Sequence, residues 1–257
     1  MLNFFKFLFS PVIAILDFIT KYFKTIVFLT IVYFVVFDSN ETLVEDNSFA
    51  NLQKIELEGP ILDVNKTLEE LEKAKKDKNI KGVLFVVNSP GGAVAPSVEL
   101  AYAIKELKEI KPVVVYASGV IASGSYYASI WANQIVANPG SVVGSIGVIM
   151  QGVNAEELME KIGISTQTVK AGKYKESGTP TRKWTEFEEK QLQNVIDDTY
   201  SMFITDVATA RNLDVKNHTS FADAKIFTSK QAKEVGLVDK VATLTFAQNS
   251  LITLAKV

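Results

Sequence analysis

Three serines lie among glycines and alanines in the segment from Ala117 to Tyr127, between an apolar run and a predicted helix. Small neighbours let a serine hydroxyl stand clear at the start of a helix, as a nucleophile requires. A serine in this position could equally cap the helix by accepting a hydrogen bond from a free backbone N–H group. The residues alone leave both interpretations open.

A serine nucleophile needs a base, and the composition leaves few candidates for one. The chain has no cysteine, which excludes thiol nucleophiles and cysteine-ligated zinc, and its one histidine, His218, lies in a polar stretch predicted to be on the surface. Lys173 and Lys175 remain, in a loop punctuated by glycine. A free lysine with a pKa near 10.4 is neutral in only about one molecule in 2500 at pH 7, so a lysine base must be enclosed. An isolated loop lysine is otherwise a solvated surface residue.

A second segment that could take part in catalysis is Asn88–Ala93 (NSPGGA). It follows a predicted buried strand and precedes a predicted helix. The paired glycines leave two backbone N–H groups unencumbered near the positive end of that helix, an arrangement that can hold an oxyanion. The alternative is an ordinary turn that uses glycine for its backbone freedom. A phosphate-binding loop is a weaker option, because the G-x-x-x-x-G-K-[ST] pattern is absent.

The overall composition narrows the class of protein. The chain has 257 residues, of which 47% are hydrophobic, and 27 basic against 29 acidic residues give a net charge of −2. Binding of nucleic acid requires a basic excess or a basic face, so we expect no nucleic-acid partner.

The first 37 residues predict a membrane anchor. Residues 25–37 are thirteen apolar residues and threonines, with lysines before the run and acidic residues after it. Thirteen residues are too few to cross about 30 Å of hydrocarbon, but flanking aromatic residues and a snorkelling Lys24 bring the stretch to about sixteen. Residues 4–16, broken by a proline, predict an interfacial helix rather than a second span.

The charges around this run predict its orientation. Lysines precede it and none follows directly, which places the N-terminus in the cytoplasm and the rest of the chain outside. A cleaved signal peptide is disfavoured, because no Ala-x-Ala-like site follows the run, and a buried core helix is the other alternative. Residues 38–50 are polar and acidic and predict a linker to a folded domain at 51–257.

Within that domain, strand-like and helix-like segments alternate. Predicted strands cover residues 54–57, 82–87, 112–116, 134–137 and 142–150. Predicted helices cover residues 67–76, 98–107, 126–131, 185–210 and 228–236, and the last two open with capping boxes, Thr185 with Glu188 and Thr228 with Gln231. The alternation predicts an α/β fold with a mostly parallel sheet.

Five segments, in order and spacing across residues 52–241, together resemble the signal peptide peptidase A (SppA) family. This family shares a superfold with the Clp proteases and crotonases. The matching segments are Val86–Gly92, Ala122–Tyr127, Gly144–Val148, Gly172–Lys175 with Pro180–Arg182, and Phe227–Ala232 with Gly236–Asp239.

The resemblance implies a role for each candidate residue. Ser123 would be the nucleophile and Lys175 the general base, with Gly91 and Gly92 at the oxyanion hole and no metal or cofactor. The family usually reads Ala-Ser-Gly-Gly-Tyr, whereas Ser125 replaces the second glycine here, which leaves Ser125 as a rival nucleophile. Lys173 is the rival base.

The same resemblance implies a Clp/crotonase-like fold, a repeated ββα superhelix with a mostly parallel sheet, preceded by the transmembrane helix. It also implies a ring of identical subunits, an octamer, in which the serine of one subunit meets the lysine of a neighbour. A monomer would then be inactive. Clp-type relatives use a Ser-His-Asp triad, and residues 137–142, where their histidine would be expected, contain none, which favours a Ser-Lys dyad.

The implied function is that of a membrane-bound serine endopeptidase in the bacterial inner membrane. It would hydrolyse remnant signal peptides or other apolar extended peptides, and its other partner would be membrane lipid. The alternatives are a protease for quality control of membrane proteins, a crotonase-like acyl-thioester enzyme, and a non-catalytic membrane scaffold.

Overall fold

The computed structural model describes residues 17–25, 27–29 and 51–257. Residues 17–25 and 27–29 are helical and their side chains are exposed. The predicted interfacial helix at 4–16, the linker at 38–50 and most of the run at 25–37 lie outside the described residues. In the parts of the chain that are described, no helix combines the length and the apolar character needed to span a bilayer. The membrane anchor therefore stays a prediction.

Residues 51–257 alternate between strands and helices. The strands are β1 (Leu52–Glu58), β2 (Gly82–Ser89), β3 (Val113–Ala122), β4 (Gln134–Ala137), β5 (Val142–Gly144), β6 (Ile226–Thr228) and β7 (Lys240–Val241). The helices are α1 (Asn65–Lys76), α2 (Val94–Lys108), α3 (Gly124–Ser129), α4 (Glu156–Lys161), α5 (Glu186–Arg211), α6 (Ser229–Glu234) and α7 (Leu244–Ala255), with a 3₁₀ helix at Val215–Ser220.

The sheet has the order β1-β2-β3-β4-β7, and every pair in this series is parallel. Strand β3 has a second partner, because its last residues, Val120–Ala122, pair in parallel with β5. Among the strands of residues 51–257, only β5 and β6 pair antiparallel. The prediction of an α/β fold with a mostly parallel sheet is confirmed.

Strand β2 shows how the sheet is buried on both faces, as its continuous apolar run predicts. Val83, Phe85 and Val87 point into the larger core, whereas Leu84 points to the opposite face. On that opposite face α7 packs against the sheet, because its buried residues Ala247 and Leu251 are spaced by one helical turn.

The structure differs from the predicted elements near the serine-rich segment. Residues 118–122, which the small residues predict to be a loop, continue β3 beyond a shift in its register with β2. Strand β5 ends at Gly144 rather than at residue 150, because the positive φ angles of Gly144 and Ser145 (114° and 50°) turn the chain out of the extended conformation there. Helices α4 and α7 were not predicted. The long helix α5 begins at its predicted capping box.

Candidate active site

Ser123 lies at the junction between the end of β3 and the start of α3. Its backbone has φ 53° and ψ −125°, a conformation that costs a non-glycine residue about 1–3 kcal/mol. Two hydrogen bonds hold it: the Ser123 N–H donates to the Gly144 carbonyl at 2.8 Å, and the Ser123 carbonyl accepts from the Tyr127 N–H at 3.0 Å. A sharp, strained turn from strand to helix is the geometry that exposes a serine nucleophile in α/β hydrolases.

Glycines make this turn possible because backbone segments approach each other closely around it. A Cβ atom on Gly91 would lie 2.6 Å from both the Ala122 carbonyl oxygen and the Gly124 nitrogen. A Cβ atom on Gly124 would lie 2.2 Å from the Ser97 hydroxyl oxygen. Side chains at these positions would therefore push the Asn88–Ala93 loop and α2 away from the serine.

Ser125, the rival nucleophile, has its hydroxyl fully committed inside the protein. The residue is completely buried. Its hydroxyl oxygen accepts from the Ala122 N–H at 2.9 Å and lies 2.7 Å from the Ser89 carbonyl and 2.9 Å from the Ala122 carbonyl, either of which can take its proton. The hydroxyl thus joins β3, α3 and the Asn88–Ala93 loop, and it has no path to a substrate.

Two backbone N–H groups beside Ser123 are free to bind an oxyanion. Within residues 51–257, neither the Gly92 nor the Gly124 N–H has a hydrogen-bond acceptor, and both residues line the same pocket as Ser123. The Gly91 N–H, by contrast, donates to the Ser89 hydroxyl at 3.2 Å. The sequence predicts Gly91 and Gly92 at the oxyanion hole; of these two, Gly92 has an N–H without an acceptor within residues 51–257, and Gly124 adds a second such N–H beside Ser123 that was not predicted from the sequence. Its position directly after a nucleophile at a helix start is nevertheless the usual place for one.

The pocket beside Ser123 contains about 100 Å³ of space and is mainly apolar. Ser123 is partly buried at its edge. Apolar side chains from three parts of the chain line it: Val94 and Val98 of α2, Val148 and Ile149 after β5, and Met202 and Phe203 of α5. An apolar pocket of this size suits one apolar side chain of an extended peptide.

The two candidate lysines have different surroundings. The Lys173 ammonium lies 4.3 Å from the centre of the Phe187 ring and 5.6 Å from that of Tyr174, within the range of cation–π contacts. Lys175 is exposed, and its amine has no ion pair or hydrogen bond with any residue in 51–257. Lys175 does not line the pocket that contains Ser123. Within residues 51–257 of one chain, the proposed base therefore makes no hydrogen bond to the proposed nucleophile.

A network of charges anchors the loop that carries Lys175. Arg182 forms two hydrogen bonds of 2.9 Å with Glu188, which is completely buried at the start of α5. Arg182 also contacts Glu176 at 3.2 Å, and Lys170 pairs with the same carboxylate. The hydrogen bonds from Lys170 and Arg182 lower the pKa of Glu176 to about 2 from an ordinary value of 4.5, and that from Arg182, with one from the Thr185 backbone, also lowers the pKa of Glu188.

This network should make the loop sensitive to acid. Because the folded protein lowers the pKa of Glu176, the ionised carboxylate contributes stability above about pH 4.5, and the contribution is lost as the pH falls from 4.5 towards 2. We expect Glu176→Gln to destabilise the loop at pH 6 and to make no difference near pH 2. Thermal unfolding can be followed by the fluorescence of Trp184, whose indole donates to the Thr179 carbonyl, in a Trp131→Phe background. An equal effect of Glu176→Gln at every pH between 6 and 3 would contradict the assignment.

The segment between β5 and this loop exposes much apolar surface. None of the residues of α4 is buried. Exposed apolar side chains occur along the whole segment, with exposed fractions of 83% for Ile149, 75% for Val153, 62% for Leu158 and 61% for Ile162. Exposed apolar residues concentrated in one segment are typical of a surface that another molecule covers.

Other catalytic arrangements find no support in residues 51–257. His218 is half-buried, its ring lies against that of Tyr200 with centroids 6.1 Å apart, and it does not line the pocket. No cluster of three acidic or histidine residues in the described chain could hold a metal ion. The arrangement that remains is a strained serine, two free backbone N–H groups and an apolar pocket, which together define a serine hydrolase on a parallel α/β sheet.

Comparison with known proteins identifies the family. The family described as Peptidase family S49 matches residues 105–257. A Methanocaldococcus jannaschii protein is 48% identical over 73% of this chain and 60% of its own length, and a Synechocystis protein is 38% identical over 79% and 74%; both are named "Putative protease". The chain belongs to peptidase family S49, the SppA family that the five sequence segments predict.

Two further comparisons agree with this assignment. The "Putative signal peptide peptidase SppA" of Enterococcus faecium is 35% identical over 83% of this chain and 66% of its own length. The chain thus spans about two thirds of the length of these relatives. The solved structure of the 1510-N membrane-bound stomatin-specific protease has a TM-score of 0.52, covers 77% of this chain and 83% of its own, and is 14% identical, which supports the fold.

Proposed function

We propose that this protein is a membrane-bound serine endopeptidase that hydrolyses remnant signal peptides through a dyad of Ser123 and Lys175. The observation that carries the proposal is the strained backbone of Ser123 beside an apolar pocket and two unpaired N–H groups. Membership of peptidase family S49 supports the reaction class. The finer fold assignment, a Clp/crotonase-like repeated ββα superhelix, belongs to the same proposal.

In the proposed reaction, the Ser123 oxygen attacks the carbonyl carbon of a peptide bond while the Lys175 amine takes its proton. The C–N bond then breaks as Lys175 returns the proton to the leaving amine, and an ester of Ser123 remains. Water attacks this ester, again with proton transfer through Lys175, and releases the acid and Ser123. The N–H groups of Gly92 and Gly124 would bind the negatively charged oxygen at both steps.

A second copy of the chain would supply the lysine. Lys175 is exposed and has no partner among residues 51–257 of its own chain, whereas a general base must be uncharged and therefore sheltered from water. The exposed apolar segment from Ile149 to Ile162, which leads to the Lys175 loop, is suited to pack against a neighbouring subunit. We therefore propose a homo-oligomeric ring, with eight subunits by family resemblance, in which each active site is shared.

The substrate class follows from the pocket and the predicted anchor. An apolar pocket next to Ser123 favours peptides with an apolar side chain before the scissile bond. Signal peptide remnants are apolar and lie in the membrane, where residues 1–37 would hold the enzyme, with the catalytic domain outside the cytoplasm of a bacterial cell. Misfolded membrane proteins offer the same chemistry, so quality control is the second candidate function.

Covalent labelling tests the proposal directly. A fluorophosphonate should modify the full chain at one serine, and mass spectrometry should locate the adduct on Ser123. A crotonase-like enzyme would instead hydrolyse acyl thioesters without labelling, and a non-catalytic scaffold would do neither. Failure to label, or an adduct on another serine, would contradict the proposed function.

The oxyanion assignment makes a separate prediction about Gly124. We expect Gly124→Ala to lower kcat/KM by about 10²-fold or more, because its Cβ atom would strike the Ser97 hydroxyl at 2.2 Å and displace the Gly124 N–H. Ser97→Ala in the same chain removes that hydroxyl and should restore part of the activity. Kinetics with one apolar peptide, together with thermal unfolding, would check this. Full activity of Gly124→Ala would show that its N–H group takes no part.

A further inference from the structure

Tyr127 connects the proposed nucleophile to the long helix α5. Its backbone N–H donates to the Ser123 carbonyl at 3.0 Å, and its ring lines the pocket. At the other end of the side chain, the hydroxyl donates to the carboxylate of Asp206 on α5. The residue is only 3% exposed. Tyr127 is therefore held at both ends, by Ser123 at its backbone and by Asp206 of α5 at its hydroxyl.

The hydrogen bond from Tyr127 to Asp206 links α5 to α3. Among residues 51–257 it is the one side-chain hydrogen bond between α3 and α5. Beside it, the Tyr127 and Phe203 rings meet edge to face, with centroids 5.0 Å apart. Besides Glu188 near its first turn, α5 buries only Phe203, Val207 and Ala208, so it is attached to the sheet chiefly around Asp206.

The part of α5 next to this attachment forms one wall of the pocket. Thr199, Met202 and Phe203 line it from α5, and Tyr127 lines it from α3. Because the hydrogen bond joins the two walls, it fixes their separation. Burial, with a contribution from the hydrogen bond to Asp206, raises the pKa of Tyr127 above its ordinary value, so the hydroxyl remains a donor throughout the working pH range.

We propose that Tyr127 and Asp206 determine the size of the side chain that the pocket accepts before the scissile bond. With the walls held together, the pocket takes small or medium aliphatic side chains, such as alanine and leucine, and rejects aromatic ones. Tyr127 contacts the substrate, whereas Asp206 is a positioning residue that acts through Tyr127. The inference rests on the proposed peptidase function and deepens it.

The test compares peptides that differ only in the residue before the scissile bond: alanine, leucine or phenylalanine. Tyr127→Phe keeps the ring and removes its hydroxyl, and Asp206→Ala removes the acceptor. Both should lower the preference for alanine over phenylalanine, measured as a ratio of kcat/KM values, by about tenfold, mainly through KM. Asp206→Asn, which keeps an accepting oxygen, should retain most of the preference. Asp198→Asn, an exposed charge two turns earlier on α5, is the matched control and should leave the ratio unchanged.

The outcomes separate this inference from the proposed function. If the native protein cleaves none of the peptides and is not labelled at Ser123, the peptidase assignment fails. If the native protein cleaves them and both Tyr127→Phe and Asp206→Ala keep the native ratios, only the specificity assignment fails. Thermal unfolding shows whether each variant is folded. If either Tyr127→Phe or Asp206→Ala does not fold, the other variant tests the specificity assignment.

Discussion

Replacing Ser123 with alanine is expected to lower peptide hydrolysis by more than about 10³-fold and to abolish fluorophosphonate labelling. The reason is that the alanine variant has no side-chain oxygen at the turn where β3 meets α3. Ser125, two residues away, is completely buried, and its oxygen is engaged with β3 and the Asn88–Ala93 loop. Hydrolysis of an apolar peptide by full-length protein, with the adduct located by mass spectrometry, measures both effects.

Ser125→Ala is the matched control for this experiment. It removes a buried hydroxyl that makes hydrogen bonds to Ala122 and Ser89, so it should reduce the free energy of unfolding by about 1–3 kcal/mol. Labelling should still occur at Ser123 in this variant. An active Ser123→Ala protein, or an adduct that disappears only in Ser125→Ala, would show that the nucleophile is assigned to the wrong serine.

The second large effect is expected at Lys175. Lys175→Ala should lower kcat/KM by about 10²–10⁴-fold, the usual contribution of a general base. Lys173→Ala should have a much smaller effect, because the Lys173 ammonium packs against Phe187 at 4.3 Å and acts in the structure of the loop. Equal losses in the two variants would contradict the assignment of the base.

Mixing two inactive variants would test whether the active site is shared. After Ser123→Ala and Lys175→Ala subunits are dissociated and reassembled together, about a quarter of the sites in a ring would combine an intact serine with a neighbour's intact lysine. We therefore expect activity to return to about a quarter of the native value. A mixture that stays inactive despite forming mixed oligomers would mean that each subunit must supply both residues.

If each active site is shared between two subunits, the network of Arg182, Glu176 and Glu188 would have a role beyond stability. Arg182 and Glu188 attach the Lys175 loop to the first turn of α5, whereas Thr199, Met202 and Phe203 of the same helix line the pocket of the same chain. One helix would thus carry the base for one site and a wall of another. The pH dependence predicted for Glu176 tests the network at the start of α5. The specificity predicted for Tyr127 tests the contact with Asp206 nearer the other end of the same helix.

Much of this architecture could be predicted from local patterns. The apolar run at 82–87 predicts a strand buried on both faces, and the structure confirms it as β2. The capping boxes at Thr185 and Thr228 mark where α5 and α6 begin, because they satisfy N–H groups through residues only three positions apart. The five spaced segments identify the family, which the comparisons confirm.

Local patterns were insufficient where a residue's environment comes from distant parts of the chain. Nothing near position 125 shows that its hydroxyl reaches Ser89, 36 residues earlier. Similarly, the bond from Tyr127 to Asp206 joins residues 79 positions apart. The length of β3 was also missed, because Val120–Ala122 are strand through pairing with β5, and Ile121 also pairs with Ser89 of β2.

The amino-acid sequence by itself determined the order of strands β1–β5 and of helices α1, α2, α3, α5 and α6, the family, and the short list of serines and lysines that could act. The tertiary structure decided which hydroxyl is buried and which stands at a pocket, which N–H groups are left unpaired, and which lysine is held by aromatic rings. The physical reason is that secondary structure depends on neighbours within a few residues. Burial and hydrogen bonding depend on which distant segments the sheet brings together.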